Sequence, residues 1–115
     1  MNKLKSILLD DEAEALRRME LLLEKFPAIQ NLGSFTDPKE AITAILQHEP
    51  DILFVDIQMP EMTGFEVVKQ LHTCGARPFI VFVTAFDQFA IKAIKAGAFD
   101  YLLKPVEEDE LLSVI

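Results

Sequence analysis

The chain has 115 residues, of which 50% are hydrophobic and 26% charged, with a formal net charge of -8. That is the make-up of one globular domain with ample material for a core, and its acidic balance excludes nucleic-acid binding by this segment as a first expectation. Cys74 stands alone, so no internal disulfide forms, and no stretch is long enough for a signal-peptide core or a membrane span; a soluble, cytoplasmic protein is expected, with Cys74 structural and partly buried.

Ser6-Leu9 is a continuous apolar run and is predicted as a buried strand. From Glu12 to about Phe26, Leu16, Met19, Leu23 and Phe26 recur at three- and four-residue steps, and Pro27 stops the helix they predict. Ile29-Phe35 supplies a second strand, weakened by Asn31 and Gly33. Thr36 or Asp37 then caps a helix that opens on Pro38 and carries Ile42, Ile45 and Leu46 inward. Past Pro50, Ile52-Val55 is a third strand, and a helix from Gly64 to His72 turns Phe65, Val68 and Leu71 to the core. Phe79-Val83 is rich in β-branched and aromatic residues and reads as a fourth strand, with Phe89-Ala96 its helix, ended by Gly97. Asp100-Leu103 and Glu107-Ile115 make the fifth pair. Strands that are unbroken apolar runs are buried on both faces, so the fold class is α/β, a doubly wound (βα)5 domain with a five-stranded parallel sheet.

Four of these strands end on residues suited to phosphate and metal: Asp10-Asp11, Asp56, Thr84 and Lys104. In a parallel sheet the carboxyl ends open onto one edge, so these residues converge. A carboxylate ending a buried strand is either a paired structural group or a nucleophile. Three carboxylates on one edge repel unless a cation sits among them, and an all-oxygen set without Cys or His suits Mg²⁺. Each residue also has an ordinary structural reading. Asp10-Asp11-Glu12 caps a helix N-terminus, Thr84 is a β-branched strand residue, and Lys104 is a surface lysine before Pro105. His48 and His72 read as solvated or helix-end residues, and Met59 and Met62 as packing or loop residues.

Four segments together resemble the receiver domain of two-component response regulators: Ile7-Leu8-Leu9-Asp10-Asp11-Glu12, Val55-Asp56-Ile57-Gln58-Met59-Pro60-Glu61-Met62-Thr63-Gly64, Val83-Thr84-Ala85, and Asp100-Tyr101-Leu102-Leu103-Lys104-Pro105. The resemblance covers essentially the whole chain. It implies a flavodoxin-like strand order of 2-1-3-4-5. It also implies that Asp56 accepts a phosphoryl group from a sensor histidine kinase. Asp11, Asp56 and the backbone carbonyl of Gln58 would hold Mg²⁺, with Asp10 acting mainly through water, while Thr84 and Lys104 would bind the phosphoryl oxygens. Thr84 and Tyr101 would form the switch, Lys104-Pro105 would be a cis peptide, and a homodimer would form through the fourth helix, fifth strand and fifth helix.

The stretch from Thr84 to Val106 is most similar to receivers joined to LytTR-type DNA-binding domains, so residues 1–115 are expected to be a single receiver domain cut within its last helix from a longer regulator of transcription. It would assist its own phosphorylation and dephosphorylation without being an enzyme with turnover. Three rivals carry distinguishing features. A haloacid-dehalogenase-type phosphatase needs a second acid two positions after the nucleophile, where this chain has Gln58. A phosphorylation-independent protein-binding module would have lost one or more of the five site residues, and all five are present. A dinucleotide-binding domain needs a Gly-rich loop where Asp10-Asp11 stands.

Overall fold

The computed structural model describes residues 3–115. Its elements alternate along the chain as β1 (Leu4–Leu9), α1 (Ala13–Leu23), β2 (Ile29–Phe35), α2 (Pro38–His48), β3 (Ile52–Val55), α3 (Gly64–Thr73), β4 (Phe79–Thr84), α4 (Ala90–Lys95), β5 (Asp100–Leu103) and α5 (Glu108–Val114). The strands form one sheet in the order β2-β1-β3-β4-β5, with every pair parallel. The predicted fold class and strand order are those observed.

Alternation along each strand divides the core in two, because successive side chains leave opposite faces of a sheet. Ile7, Leu9, Leu53, Val55, Ile80 and Phe82 meet α2, α3 and α4 through Ala41, Ile45, Val67, Leu71 and Ala93. Leu8, Ile52, Phe54, Val81, Val83 and Leu102 face α1 and α5 through Leu16, Met19, Leu23, Leu111 and Val114. Both faces are thus covered, which is why the central strands contain almost no polar residues.

Helix ends differ from the periodic reading by a few residues. α1 stops at Leu23, leaving Phe26 beyond it in the connection to β2, and α4 spans only Ala90–Lys95. Asp37, not Thr36, caps α2 by accepting the Lys39 N–H. Leu46 is 41% exposed, not inward, and Phe65 is half-buried while its neighbour Val67 is fully buried. Cys74 is exposed, correcting the expectation of a partly buried thiol. It is the C-cap of α3, followed by Gly75 at φ 84°, and a helix C-terminus that turns through the left-handed region lies at the surface. In β2, Leu32 is the extra residue of a bulge, since Ser6 pairs with Asn31 and Ile7 with Gly33.

Strand order places β1 and β3 side by side while their crossovers leave in opposite directions across the sheet. That reversal opens a crevice at the carboxyl ends of β1 and β3. Asp10, Asp11 and Asp56 lie there.

Candidate phosphoacceptor site

Backbone hydrogen bonds carry the sheet one residue past its strands. Asp10 N–H donates to the Phe35 carbonyl at 3.0 Å and Asp56 N–H to the Leu9 carbonyl at 3.0 Å. Both aspartates are therefore fixed by main chain before their side chains make any contact. They are also nearly inaccessible, at 5% and 6% exposure. One oxygen of each is held locally: Asp10 Oδ1 accepts the Glu12 N–H at 2.9 Å, and Asp56 Oδ1 accepts the Ile57 N–H at 2.7 Å.

The second oxygens face Lys104. Its Nζ lies 2.7 Å from Asp10 Oδ2 and 3.2 Å from Asp56 Oδ2, and it also reaches Glu12 Oε1 at 3.2 Å. Lys104 is placed by its own N–H, which donates to the Thr84 carbonyl at 2.8 Å, and the Lys104–Pro105 bond is cis. Although burial alone favours a neutral amine, the hydrogen bond and charge of Asp10 and the charge of Asp56 raise the Lys104 pKa well above the usual lysine range. Burial raises the Asp10 carboxyl above its usual value, opposed by Lys104.

Asp11 is exposed and projects toward the same crevice. Among the described residues, carboxylate oxygens of Asp10, Asp11 and Asp56 lie within 4.8 Å of one another. This all-oxygen, partly solvated set has the donor chemistry of a Mg²⁺ site.

The loop after β3 is pinned on both sides of its exposed residue. Ile57 and Met59 are buried at 1% and 8% exposure, with Gln58 exposed between them. The loop then folds back, so that Gly64 N–H donates to the Ile57 carbonyl at 2.8 Å. A Cβ on Gly64 would stand 2.3 Å from the Asp56 carbonyl oxygen. Only glycine allows α3 to start that close to the Asp56 main chain. Thr63 completes the start with a capping box, its hydroxyl accepting the Glu66 N–H at 3.1 Å.

Thr84 is fully buried at the end of β4, and the Phe86 N–H donates to its hydroxyl at 3.4 Å. Tyr101 is half-buried against Phe82, with ring centroids 6.5 Å apart, and its hydroxyl donates to the Phe86 carbonyl. Thr84 and Tyr101 thus converge on the same β4–α4 loop. Asp10, Asp11, Asp56 and Lys104 form the charged group beside it, joined to Thr84 through the main chain of Lys104.

Two contributors carry little signal in the sequence. Glu12 reads as a helix-terminal acid, yet it is a partner of Lys104, and the run of three acids is its signal. Gly64 reads as the start of a helix, and its signal is a glycine at the first helical position.

The chain matches the model of the response regulator receiver domain family over residues 7–115. It belongs to that family. Among relatives of this receiver domain, the transcriptional regulatory protein BtsR of Salmonella typhi is 46% identical over 108 residues, covering 94% of this chain and 45% of BtsR. The sensory transduction protein LytT of Enterococcus faecalis is 34% identical over 95% of this chain and 45% of its own length. The receiver domain thus spans less than half the length of these curated relatives. The response regulatory domain of protein MrkE from Klebsiella pneumoniae superposes with a TM-score of 0.84 at 32% identity, covering 96% of this chain and 91% of that one. A NarL receiver domain from Mycobacterium tuberculosis has a TM-score of 0.89 at 23% identity, over 98% and 93% of the two chains, a likeness of fold. The chain is therefore a receiver domain of the two-component response-regulator type, and LytT among its relatives agrees with the subfamily read from Thr84 to Val106. No described helix is long and apolar enough to cross a membrane.

Proposed function

We propose that this receiver domain is a phosphorylation switch in which Asp56 takes a phosphoryl group from the phosphohistidine of a sensor kinase. The observation that carries this reading is the pairing of Lys104 with a buried Asp56, held at the mouth of a three-carboxylate crevice. An Asp56 oxygen attacks phosphorus, the bond from phosphorus to the donor nitrogen breaks, and the electron pair returns to the imidazole. An acyl phosphate on Asp56 results.

The chain's own residues prepare each part of that transfer. Ile57 N–H fixes Asp56 Oδ1, which leaves Oδ2 as the nucleophile facing Lys104. Lys104 shifts from a carboxylate partner at rest to an oxygen of the incoming phosphoryl group, neutralising charge where it develops. Thr84 donates its hydroxyl to another of those oxygens. Asp11, Asp56 and the Gln58 carbonyl would hold Mg²⁺, with Asp10 helping mainly through water. When bound, Mg²⁺ supplies further positive charge to the phosphoryl oxygens.

Movement of Thr84 toward the phosphoryl group changes the β4–α4 loop on which the Tyr101 hydroxyl rests, and Tyr101 turns further inward. The surface altered is that of α4, β5 and α5, where Ile91, Ile94, Phe99 and Leu112 are 71%, 75%, 55% and 60% exposed. A second copy of the chain and an output domain, of the LytTR DNA-binding type in a longer cytoplasmic regulator, are the proposed readers of that surface.

Incubation with Mg²⁺ and acetyl phosphate, followed by intact-mass measurement, tests the reading. The parent gains the mass of one phosphoryl group and Asp56→Asn gains none. Absence of the adduct on a folded parent that binds Mg²⁺ would favour a phosphorylation-independent binding module. Mg²⁺ alone stabilises the fold by about 1.4 kcal/mol at ten times its Kd, read as a rise in Tm, because it binds only the assembled crevice. That rise disappears in Asp11→Asn.

Phe86 stands two residues after Thr84 and is 39% exposed, edge-on to Phe89 at 6.3 Å. Its bulk restricts water at the phosphoryl group, so Phe86→Ala loses the phosphoryl group faster than the parent. An equal or slower rate of dephosphorylation would contradict this role.

A further inference from the structure

Five aromatic side chains form a closed circuit beneath the β4–α4 loop. Tyr101 packs on Phe82 at 6.5 Å, Phe82 on Phe65 at 4.9 Å, Phe65 on Phe89 at 6.3 Å and Phe89 on Phe86 at 6.3 Å. The Phe86 carbonyl accepts the Tyr101 hydroxyl and closes the ring. Phe65 is its one member on α3. It directly follows Gly64, the residue pressed against the Asp56 main chain.

α4 is otherwise weakly attached. It has six residues, no side-chain cap at its N-terminus, and buries only Ala93 of its own. Lys92 compensates: its Nζ lies 4.6 Å from the centroid of the Phe65 ring. A cation over an aromatic face is attracted by the ring quadrupole. Glu66, on the same turn of α3, has its carboxyl lowered below the usual value by the Thr63 N–H that its side chain accepts, and its charge is favourable for Lys92.

We infer that Lys92 and Phe65 form a latch that ties α4 to the start of α3, so that the position of α4 follows the phosphoacceptor loop through Gly64 and Phe65 as well as through Thr84 and Tyr101. Lys92 and Phe65 are positioning residues in this scheme; neither touches the reacting atoms. The latch rests on the proposed phosphorylation of Asp56 only for its response to the phosphoryl group. Its existence at rest does not depend on it.

Amide hydrogen exchange in the unphosphorylated protein isolates the resting latch, since local opening of α4 is reported by its own amides. Lys92→Met keeps the aliphatic stem and removes the charge. It is expected to speed exchange in α4 by about two- to five-fold, with β3 and β4 unchanged. Lys95→Met makes the same change on the same helix without a ring beneath it, and its effect is smaller. In a Phe65→Leu background, Lys92→Met adds nothing further, because the partner is already gone. Equal effects of Lys92→Met and Lys95→Met, or additive effects of Lys92→Met and Phe65→Leu, would overturn the latch. After acetyl phosphate and Mg²⁺ treatment, α4 exchange changes in the parent and less in Lys92→Met. A parent that takes up the phosphoryl group with no change in α4 overturns the coupling. A parent that takes up none overturns the phosphoacceptor reading and leaves the resting measurement to decide the latch.

Discussion

Lys104→Met is expected to lower stability by about 3 kcal/mol at neutral pH, because it removes a cation paired with two buried carboxylates. Asp10 and Asp56, at 8% and 7% side-chain exposure, would lose the ammonium they share, and only Glu12 of the three partners sits in water. For a domain of this size the loss corresponds to a fall of about 12 °C in Tm. It also depends on pH in a defined direction. Burial already raises the Asp10 carboxyl, so its ionisation opposes folding at every pH where it is charged in the fold. Without Lys104 that opposition grows. The penalty is therefore largest well above the usual carboxylate range and shrinks as pH falls and Asp10 takes up a proton. Thermal melts of parent and variant between about pH 4 and pH 8 should diverge as pH rises. Mg²⁺ should recover part of the loss, and phosphoryl transfer from acetyl phosphate should slow by about 100-fold or more, the usual effect of deleting a positive group that faces developing charge. Melts that stay parallel across this range would show that Lys104 does not compensate Asp10.

Gly64→Ala carries the second large effect. The added Cβ would meet the Asp56 carbonyl oxygen at 2.3 Å, with the Asp56 carbonyl carbon and the Ile57 Cα both at 3.2 Å. All three are backbone atoms, so no side chain can swing aside. Either α3 retreats or the Asp56 segment moves, at a cost of about 1–3 kcal/mol, the range for overpacked cores. Retreat of α3 also breaks the bond from Gly64 N–H to the Ile57 carbonyl, and Ile57 is the residue whose N–H fixes Asp56 Oδ1. Stability and phosphoryl uptake should therefore fall together. The informative control is Gly97→Ala, where nothing lies within 4 Å of the new Cβ and only the positive φ of 83° is strained. That variant should lose stability and keep the rate of phosphoryl uptake. A Gly64→Ala protein with the uptake rate of the parent would show that close approach of α3 does not position Asp56.

β3 and β4 were legible because burial on both faces leaves no polar residue to interrupt them, whereas β2, at the sheet edge, carries Asn31 and Gly33. Ile52-Val55 and Phe79-Val83 could be little else. Strand-end polar residues were legible for the same reason: Asp56 and Thr84 are conspicuous only because everything before them is apolar. Helix ends were less so, since Phe26 continues the α1 period although the chain has already turned at Glu24 to Pro27. Leu46 and Cys74 show the limit of pattern reading. Both have apolar character, yet both lie at the far end of the sheet beside an open cleft of about 380 Å³. Convergence of the strand ends was legible from the topology, but particular side-chain contacts away from them were not. The pairing of Lys104 with Glu12 spans 92 positions, and the Phe65–Lys92 contact requires the folded course of two helices. The family resemblance supplied the roles of the site residues, and the geometry adds why Gly64 stands where it does.

Reductive trapping tests the central claim most directly. After treatment with Mg²⁺ and acetyl phosphate, borohydride converts an aspartyl acyl phosphate to homoserine, and peptide mass spectrometry locates the change. The residue predicted to be converted is Asp56, in the segment Ile52–Met62, with Asp10 and Asp11 untouched. Homoserine at Asp10 or Asp11, or none at any aspartate of a protein that has gained the phosphoryl mass, would contradict the assignment of Asp56 as the acceptor.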